Sequence, residues 1–208
     1  MGAEYVDTKW DFRGADTKTY THCFHSYPAV MIPQVAGELI DRHGKDAILL
    51  FDPYCGSGTS LVEANLRGIN AVGTDLNPLA RLLSTAKTSV VPVPLLDEHI
   101  ALFSDKVFRN RFLGEINAQI KLPTFKNIDF WFSDDVQKQL AYVKEYVESI
   151  SNTEIKNFFK VAFSETVRDV SWTRNGEFKL FRMTEKSRSA HSPDVLGIME
   201  GKLHRCRK

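Results

Sequence analysis

One short segment constrains the fold of this chain more than any other, because it joins two apolar runs through a glycine-rich turn and a helical pattern. Residues 47–51 are continuously apolar, which is typical of a strand buried on both faces of a parallel sheet. Two glycines follow in the turn, and residues 59–67 have helical composition. A second apolar run, 70–74, ends at Asp75. This order of strand, turn, helix and strand predicts the opening of a doubly wound α/β sheet.

The turn between the first strand and the helix has the composition of a ligand-binding loop. Gly56 and Gly58 allow the backbone to bend sharply and to approach a ligand without an intervening side chain. Asp52 stands at the end of the first predicted strand, where its carboxylate can accept a hydrogen bond from an amino group. Ser57 and Thr59 can cap the helix that follows. We therefore interpret this turn as part of a binding site.

Asp75 lies at the end of the second predicted strand, about 20 residues beyond the turn, where dinucleotide-binding folds place the acceptor for ribose hydroxyls. Such folds also need a third glycine, where the helix packs on the strand, and this sequence has none there. It also lacks the G-K-S/T run of a phosphate-binding P-loop. Hydride transfer is therefore disfavoured, and a P-loop triphosphate site is excluded.

Beyond residue 94 the pattern becomes mainly helical, so we divide the chain into an α/β region, 1–94, and a helical extension, 95–208. Besides 59–67, the helices predicted in the α/β region are 29–42 and 79–87. Those predicted in the extension are 95–118, 134–149, 154–168 and 194–203, the last capped by Ser192–Pro193. A turn at Asn175–Gly176 is expected to join 170–172 and 178–181 as a hairpin.

Three stretches of this sequence resemble the cofactor-binding motifs of bacterial DNA amino-methyltransferases. They are DPYCGSGT at 52–59, LVEA at 61–64 and GTDLNPLA at 73–80. Enzymes of this family transfer a methyl group from S-adenosylmethionine to N4 of cytosine or N6 of adenine. The resemblance implies a partial class I (Rossmann-like) S-adenosylmethionine methyltransferase sheet with a mainly helical extension. It also implies DNA as the substrate, S-adenosylmethionine as the cofactor and an association with restriction-modification.

The same resemblance implies which residues hold the cofactor. Asp52, Cys55, Gly56 and Gly58 would line its methionine half, and Asp75 would hold the ribose. The segment 21–29 resembles the part of these enzymes that closes over the methionine carboxylate, although His22 and His25 taken alone would be interpreted as surface histidines. The full predicted set is His25, Tyr27, Pro28, Asp52, Pro53, Cys55, Gly56, Ser57, Gly58, Thr59, Asp75, Leu76 and Asn77.

The catalytic motif of this family, S/D/N-P-P-Y/F/W, is absent, because the sequence contains no Pro-Pro pair. That motif orients the target amino group and stacks an aromatic ring on a base that has swung out of the duplex. The nearest candidates are incomplete: 52–54 lacks one proline, 77–79 lacks the aromatic residue and 192–194 lacks both. We assign no catalytic residue. We expect a fragment or one part of a split enzyme, inactive alone, with the motif on a second polypeptide or a missing C-terminal half.

Two other functions remain open at this point. A tRNA guanine N2-methyltransferase uses a very similar D-P-x-C-G-S-G-T turn, although it would usually carry an N-terminal RNA-binding domain, for which residues 1–46 leave no room. The chain can also be a non-catalytic subunit that binds cofactor or DNA.

Charge and cysteine content narrow the function classes further. The net charge is only +1, yet residues 168–208 hold ten basic residues against five acidic ones, which favours a polyanionic partner. The three cysteines are too far apart for a disulfide framework or a zinc site, so we expect no structural metal. With no apolar stretch of membrane-spanning length and no signal peptide, we expect a cytoplasmic protein that does not enter a membrane.

Overall fold

The computed structural model describes residues 8–28, 30–114, 116, 120–174 and 180–207. It divides into two compact units, Met1–Ser89 and Val90–Lys208, which are described separately below. The division falls a few residues before the boundary predicted after residue 94.

The first unit contains the predicted order of strands and helices. Two parallel strands pair with Leu49 opposite Asn70 and Asp52 opposite Gly73. Short 3-10 helices at Thr8–Trp10 and Tyr20–Phe24 precede the other elements. Those elements are α1 (Pro33–His43), β1 (Leu49–Asp52), α2 (Thr59–Leu66), β2 (Asn70–Gly73) and α3 (Pro78–Thr88).

Local chemistry accounts for the ends of these helices. The helix predicted from residue 29 begins instead at Pro33, because proline lacks an amide hydrogen and is favoured in the first helical turn. It ends where the Gly44 N–H donates to the Ile40 carbonyl oxygen at 2.7 Å. In α3, the Asn77 side chain accepts a hydrogen bond from the Leu79 N–H at 3.0 Å, and Pro78 is the first helical residue.

The strands differ from prediction in their burial. Leu50 and Ala71 pack on a buried cluster formed by Ile40, Ala64 and Ile69, so α1 and α2 cover this side of the sheet. The opposite side is open, and Leu49, Phe51 and Val72 on it are 54%, 60% and 51% exposed. The prediction that the first strand is buried on both faces is therefore wrong. Among the described residues, α1 and α2 cover only the face that carries Leu50 and Ala71.

The second unit is helical. Its core contains Phe103, Ile155, Phe159, Met199 and Leu203, all completely buried. Its elements are α4 (Val93–Leu113), α5 (Ile128–Trp131), α6 (Asp134–Ser149), α7 (Thr153–Val170), α8 (Glu185–Ser189) and α9 (Val195–Arg207). No helix in the described part of the chain is both long and apolar enough to cross a membrane.

Two predicted helices in this unit differ from the structure at an end or at a cap. The helix predicted to end at residue 118 ends at Leu113, because Gly114 adopts a left-handed conformation with φ of 66° and closes it. The last helix is capped by the Asp194 carboxylate, which accepts from the Gly197 N–H at 3.0 Å, and not by Ser192–Pro193. It also continues to Arg207, beyond the predicted end at residue 203.

The predicted hairpin is displaced along the chain. Val170, expected in its first arm, is the buried last residue of α7. An antiparallel bridge instead joins Thr173 to Arg182, and the Met183 N–H donates to the Trp172 carbonyl oxygen at 2.7 Å. The predicted turn at Asn175–Gly176 lies outside the described residues.

Several of the basic residues near the C-terminus pair with carboxylates of the same unit. Lys202 Nζ lies 3.0 Å from Glu165 Oε2 and 2.6 Å from Asp169 Oδ2, and Arg205 also binds Glu165. Arg207 Nε lies 2.6 Å from Asp97 Oδ1. The basic residues of α9 therefore hold this helix against its neighbours.

The buried pairing of Glu165 predicts a loss of stability in acid. Burial raises the pKa of the Glu165 carboxyl, but the hydrogen bonds and charges of Lys202 and Arg205 outweigh it and lower this pKa from 4.5 to about 2. The stabilisation is complete above pH 4.5 and is lost as the pH falls towards 2, so Glu165→Gln should remove about 3 kcal/mol at neutral pH. Thermal unfolding of both proteins between neutral pH and pH 2 measures this effect.

Glu148→Gln is the matched control, because Glu148 is half-exposed and pairs with lysines at the surface. Its stability should change by less than about 1 kcal/mol. Equal losses of stability in the two variants would contradict this role of Glu165. So would a stability of Glu165→Gln that depends on pH as that of the parent does.

Candidate functional site

The carboxyl ends of the two strands are held together by the backbone of the turn that follows β1. The Thr74 N–H donates to the Asp52 carbonyl oxygen at 3.0 Å, and the Cys55 N–H donates to the Thr74 carbonyl oxygen at 3.0 Å. The Thr74 hydroxyl donates to the Pro53 carbonyl oxygen at 2.8 Å. The two strand ends therefore form one continuous edge, and the carboxyl edge of a parallel sheet is where ligands bind in open α/β folds.

Gly56 connects the turn to the acidic residue after β2. Its N–H donates to Asp75 Oδ2 at 3.0 Å, and Asp75 Oδ1 accepts from the Asn77 N–H at 2.8 Å. Gly56 has a φ of +50°, and a Cβ placed there would meet nothing within 4 Å. The space above this glycine is therefore open to a ligand.

Gly58 has a different role from Gly56. Its φ is +85°, and a Cβ there would lie 2.8 Å from both Cα and Cβ of Ser84 in α3. Gly58 is therefore required for close packing of the turn on α3. The motif predicts that it lies against the ligand, but in the structure it does not line the cleft described next.

A cleft of about 160 Å³ opens beside the turn. It is smaller than the roughly 300–1,000 Å³ of typical small-molecule sites, so it accommodates only part of a larger ligand. Six of the predicted residues line it: Tyr27, Asp52, Cys55, Gly56, Ser57 and Thr59. Sequence reasoning missed four other lining residues, Val30, Met31, Tyr54 and Ser60. The proline at position 33, which starts α1, was the signal that residues 30–32 precede the helix.

Polar groups of the cleft are oriented by the loop itself. Asp52 Oδ1 accepts from the Tyr54 N–H at 3.0 Å, and Asp52 Oδ2 accepts from the Ser60 hydroxyl. Burial, together with the charges of Asp52 and Asp75, raises the pKa of the Cys55 thiol, which therefore stays neutral near pH 7. Carboxylates, hydroxyls and backbone amides in this arrangement suit a ligand that carries both an ammonium group and sugar hydroxyls.

The remaining predicted residues lie outside the cleft. Asp75 and Asn77 follow β2, and the Asn77 side-chain amide donates to the Tyr27 hydroxyl at 3.0 Å, which joins them to the cleft wall. Leu76 between them is 97% exposed. His25 is half-buried at the end of the second 3-10 helix, and Pro28 and Pro53 are exposed.

His22 is not a surface histidine. It is 8% exposed, and its Nε2 lies 3.0 Å from Glu63 Oε1. Burial lowers the pKa of His22 below its ordinary value. Glu63 also pairs with Arg67 at 2.7 Å, and Arg67 pairs with Asp41 at 2.6 Å. His22 therefore anchors the second 3-10 helix to α2. The residues around His22 do not reveal this role, because Glu63 lies far from it in the sequence.

Comparison of the sequence with known proteins finds relatives among the methyltransferases. The chain is 42% identical over 189 residues to the type II methyltransferase M.MvaI of Kocuria varians, and the match covers 88% of this chain and 42% of that protein. This chain is a relative of type II methyltransferases. Type II methyltransferase M.MjaII of Methanocaldococcus jannaschii is 33% identical over 152 residues, which cover 69% of this chain and 29% of M.MjaII.

These matches confirm the resemblance to DNA methyltransferases drawn from the sequence. The chain spans less than half the length of either type II methyltransferase. A tRNA (guanine(10)-N2)-dimethyltransferase of Methanocaldococcus jannaschii is 30% identical over 95 residues, covering 45% of this chain and 26% of that protein. No family model matches the chain. No solved structure matches it.

Proposed function

We propose that this chain is the S-adenosylmethionine-binding part of a site-specific DNA methyltransferase that methylates an exocyclic amino group, N4 of cytosine or N6 of adenine. The observation that carries this proposal is the hydrogen bond from the Gly56 N–H to Asp75, which joins the glycine turn and the acidic strand end into one open edge. The 42% identity to a type II methyltransferase supports it. When bound, S-adenosylmethionine supplies an electrophilic methyl group on a sulfonium ion.

The residues present fit this cofactor. The open space above Gly56 can take a ligand against bare backbone, and Asp52 can accept from the ammonium group of the methionine half. Asp75 accepts from the ribose hydroxyls in this proposal, and exposed Leu76 contacts the adenine. Tyr27, held by Asn77, closes the cleft from the N-terminal side.

The sheet of this proposed enzyme is of the class I (Rossmann-like) type and is completed by further strands. Parallel sheets are normally covered on both faces, and a two-stranded sheet is marginally stable alone. The exposed side chains of Leu49, Phe51 and Val72 supply an apolar face for the missing layer. We propose that a second polypeptide, or a C-terminal continuation, covers this face and carries the S/D/N-P-P-Y/F/W motif.

Methylation of N2 of a guanine in tRNA is the second candidate function. The 30% identity to a tRNA (guanine(10)-N2)-dimethyltransferase, over less than half of this chain, is the observation that favours it. The longer match to the type II methyltransferases favours DNA.

The proposal predicts that this chain binds the cofactor but does not transfer its methyl group. Transfer also requires a pocket that orients the target amino nitrogen, and the motif for that pocket is absent. Equilibrium dialysis with labelled S-adenosylmethionine should show binding that S-adenosylhomocysteine displaces. Separate incubations of methyl-labelled cofactor with mixed-sequence DNA and with tRNA should show no incorporation.

Each outcome of this pair of measurements is informative. Absence of cofactor binding would contradict the proposed function. Methyl incorporation into DNA would show that other residues replace the missing motif, whereas incorporation into tRNA guanine would support the second candidate.

A further inference from the structure

Two arginines and two aromatic rings form a cluster on the second unit, which we call the arginine–aromatic patch: Phe130, Trp172, Arg182 and Arg188. The guanidinium carbon of Arg182 lies 3.9 Å from the ring centroid of Phe130 and 5.3 Å from that of Trp172. The guanidinium carbon of Arg188 lies 5.2 Å from the same Trp172 centroid. One indole ring therefore contacts two positive charges.

Hydrogen bonds of the backbone hold the patch in place. The Trp172 N–H donates to the Trp131 carbonyl oxygen at 2.8 Å, and the Trp172 carbonyl oxygen accepts in turn from the Met183 N–H at 2.7 Å. The antiparallel bridge between Thr173 and Arg182 fixes the segment that carries Arg182. Arg188 lies on α8, whose first turn is capped by the Thr184 hydroxyl. The two guanidinium groups are therefore presented from ordered segments.

The charges of the patch are not balanced within the described part of the protein. Among the described residues, no carboxylate oxygen lies within 4.0 Å of the guanidinium of Arg182 or Arg188. The Nε atoms of both are buried and have no acceptor there. Burial and the nearby charge of Arg188 lower the pKa of Arg182. By contrast, Arg205 and Arg207 have carboxylate partners.

We propose that the arginine–aromatic patch binds a backbone phosphate of duplex DNA. An anion between the two guanidinium groups would relieve their repulsion, and a phosphate offers acceptors for several of their N–H donors at once. Stacking on Phe130 and Trp172 keeps both groups oriented before DNA arrives. This assignment rests on the proposed function, because that function makes DNA the polyanion.

The salt dependence of DNA binding tests the patch in the full chain. Fluorescence anisotropy is measured with a labelled mixed-sequence DNA duplex and with an RNA duplex of the same sequence. It gives the slope of log affinity against log salt concentration, whose magnitude is proportional to the number of phosphates that the protein neutralises. We expect Arg182→Gln and Arg188→Gln each to reduce this slope by about 1, with similar reductions on unrelated duplex sequences. Arg182→Lys keeps the charge but not the planar guanidinium, so it should retain part of the slope.

Arg207→Gln is the matched control, because it removes the same charge from a residue already paired with Asp97. Its slope should equal that of the parent. Circular dichroism melting curves verify that each variant is folded. If Arg182→Gln unfolds, Arg188→Gln still tests the patch, because Arg188 lies on the short surface helix α8.

Three results would overturn this assignment. They are an unchanged slope in both folded variants, an equal reduction in Arg207→Gln, and a reduction confined to RNA ligands. Dialysis with S-adenosylmethionine separates this inference from the proposed function, since the patch variants should bind the cofactor as the parent does. A parent that bound DNA through the patch but did not bind S-adenosylmethionine would contradict the proposed function alone.

Discussion

Gly56→Leu should bind S-adenosylmethionine roughly 100-fold more weakly than the parent, a difference of about 2.7 kcal/mol, while its fold remains intact. A side chain at Gly56 meets no protein atom within 4 Å, so it would occupy the space proposed for the cofactor. The left-handed backbone adds a cost of about 1–2 kcal/mol to folding. Calorimetric titration with S-adenosylmethionine, together with thermal unfolding, measures both effects.

Gly68→Leu provides the control for backbone strain. Gly68 also has a positive φ, +72°, and a Cβ placed there would also meet nothing within 4 Å, but it lies in the turn after α2 and does not line the cleft. Equal cofactor affinity in Gly56→Leu and Gly68→Leu would show that the space above Gly56 is not a ligand site. Gly58 is unsuitable for this test, because a side chain there collides with the backbone of Ser84.

Asp75→Ala should weaken S-adenosylmethionine binding by about 30- to 1000-fold, or roughly 2–4 kcal/mol. In the proposed site this carboxylate accepts from the ribose hydroxyls, and it also holds the Gly56 and Asn77 amides in place. A cofactor analogue that lacks one ribose hydroxyl should bind the parent more weakly than S-adenosylmethionine does, whereas Asp75→Ala should discriminate much less between the two. Titration of the parent and Asp75→Ala with both ligands gives four affinities. Together they form a thermodynamic cycle that measures the coupling between Asp75 and the ribose hydroxyl.

Asp46→Ala is the control for this cycle, since it removes an exposed carboxylate just before the amino end of β1. Its affinity for S-adenosylmethionine should match that of the parent. If Asp75→Ala discriminated between the two ligands as strongly as the parent does, the ribose contact would be assigned to the wrong residue.

Much of the candidate site could be predicted because its signals are local in sequence. The glycines of the turn, the aspartate at the end of β1 and Asp75 after β2 occupy positions that follow from strand ends and turn geometry. Six predicted residues line the cleft, and Asp75 is joined to it through Gly56. Val30 and Met31 were missed because their apolar spacing also fits a helix, which Pro33 shows to begin later.

The sequence by itself determined the order of strands and helices in the first unit, the glycine turn with its acidic neighbours, and the relationship to methyltransferases. These features depend on residues close together in the chain, whose conformational preferences act without distant partners. Only the tertiary structure decided which face of β1 is covered, why Gly58 must be glycine, and which basic residues are neutralised. Lys202 and Arg205 meet Glu165 on another helix, whereas Arg182 and Arg188 lie against aromatic rings. The physical reason is that burial and ion pairing depend on contacts between segments far apart in sequence, which a local pattern does not specify.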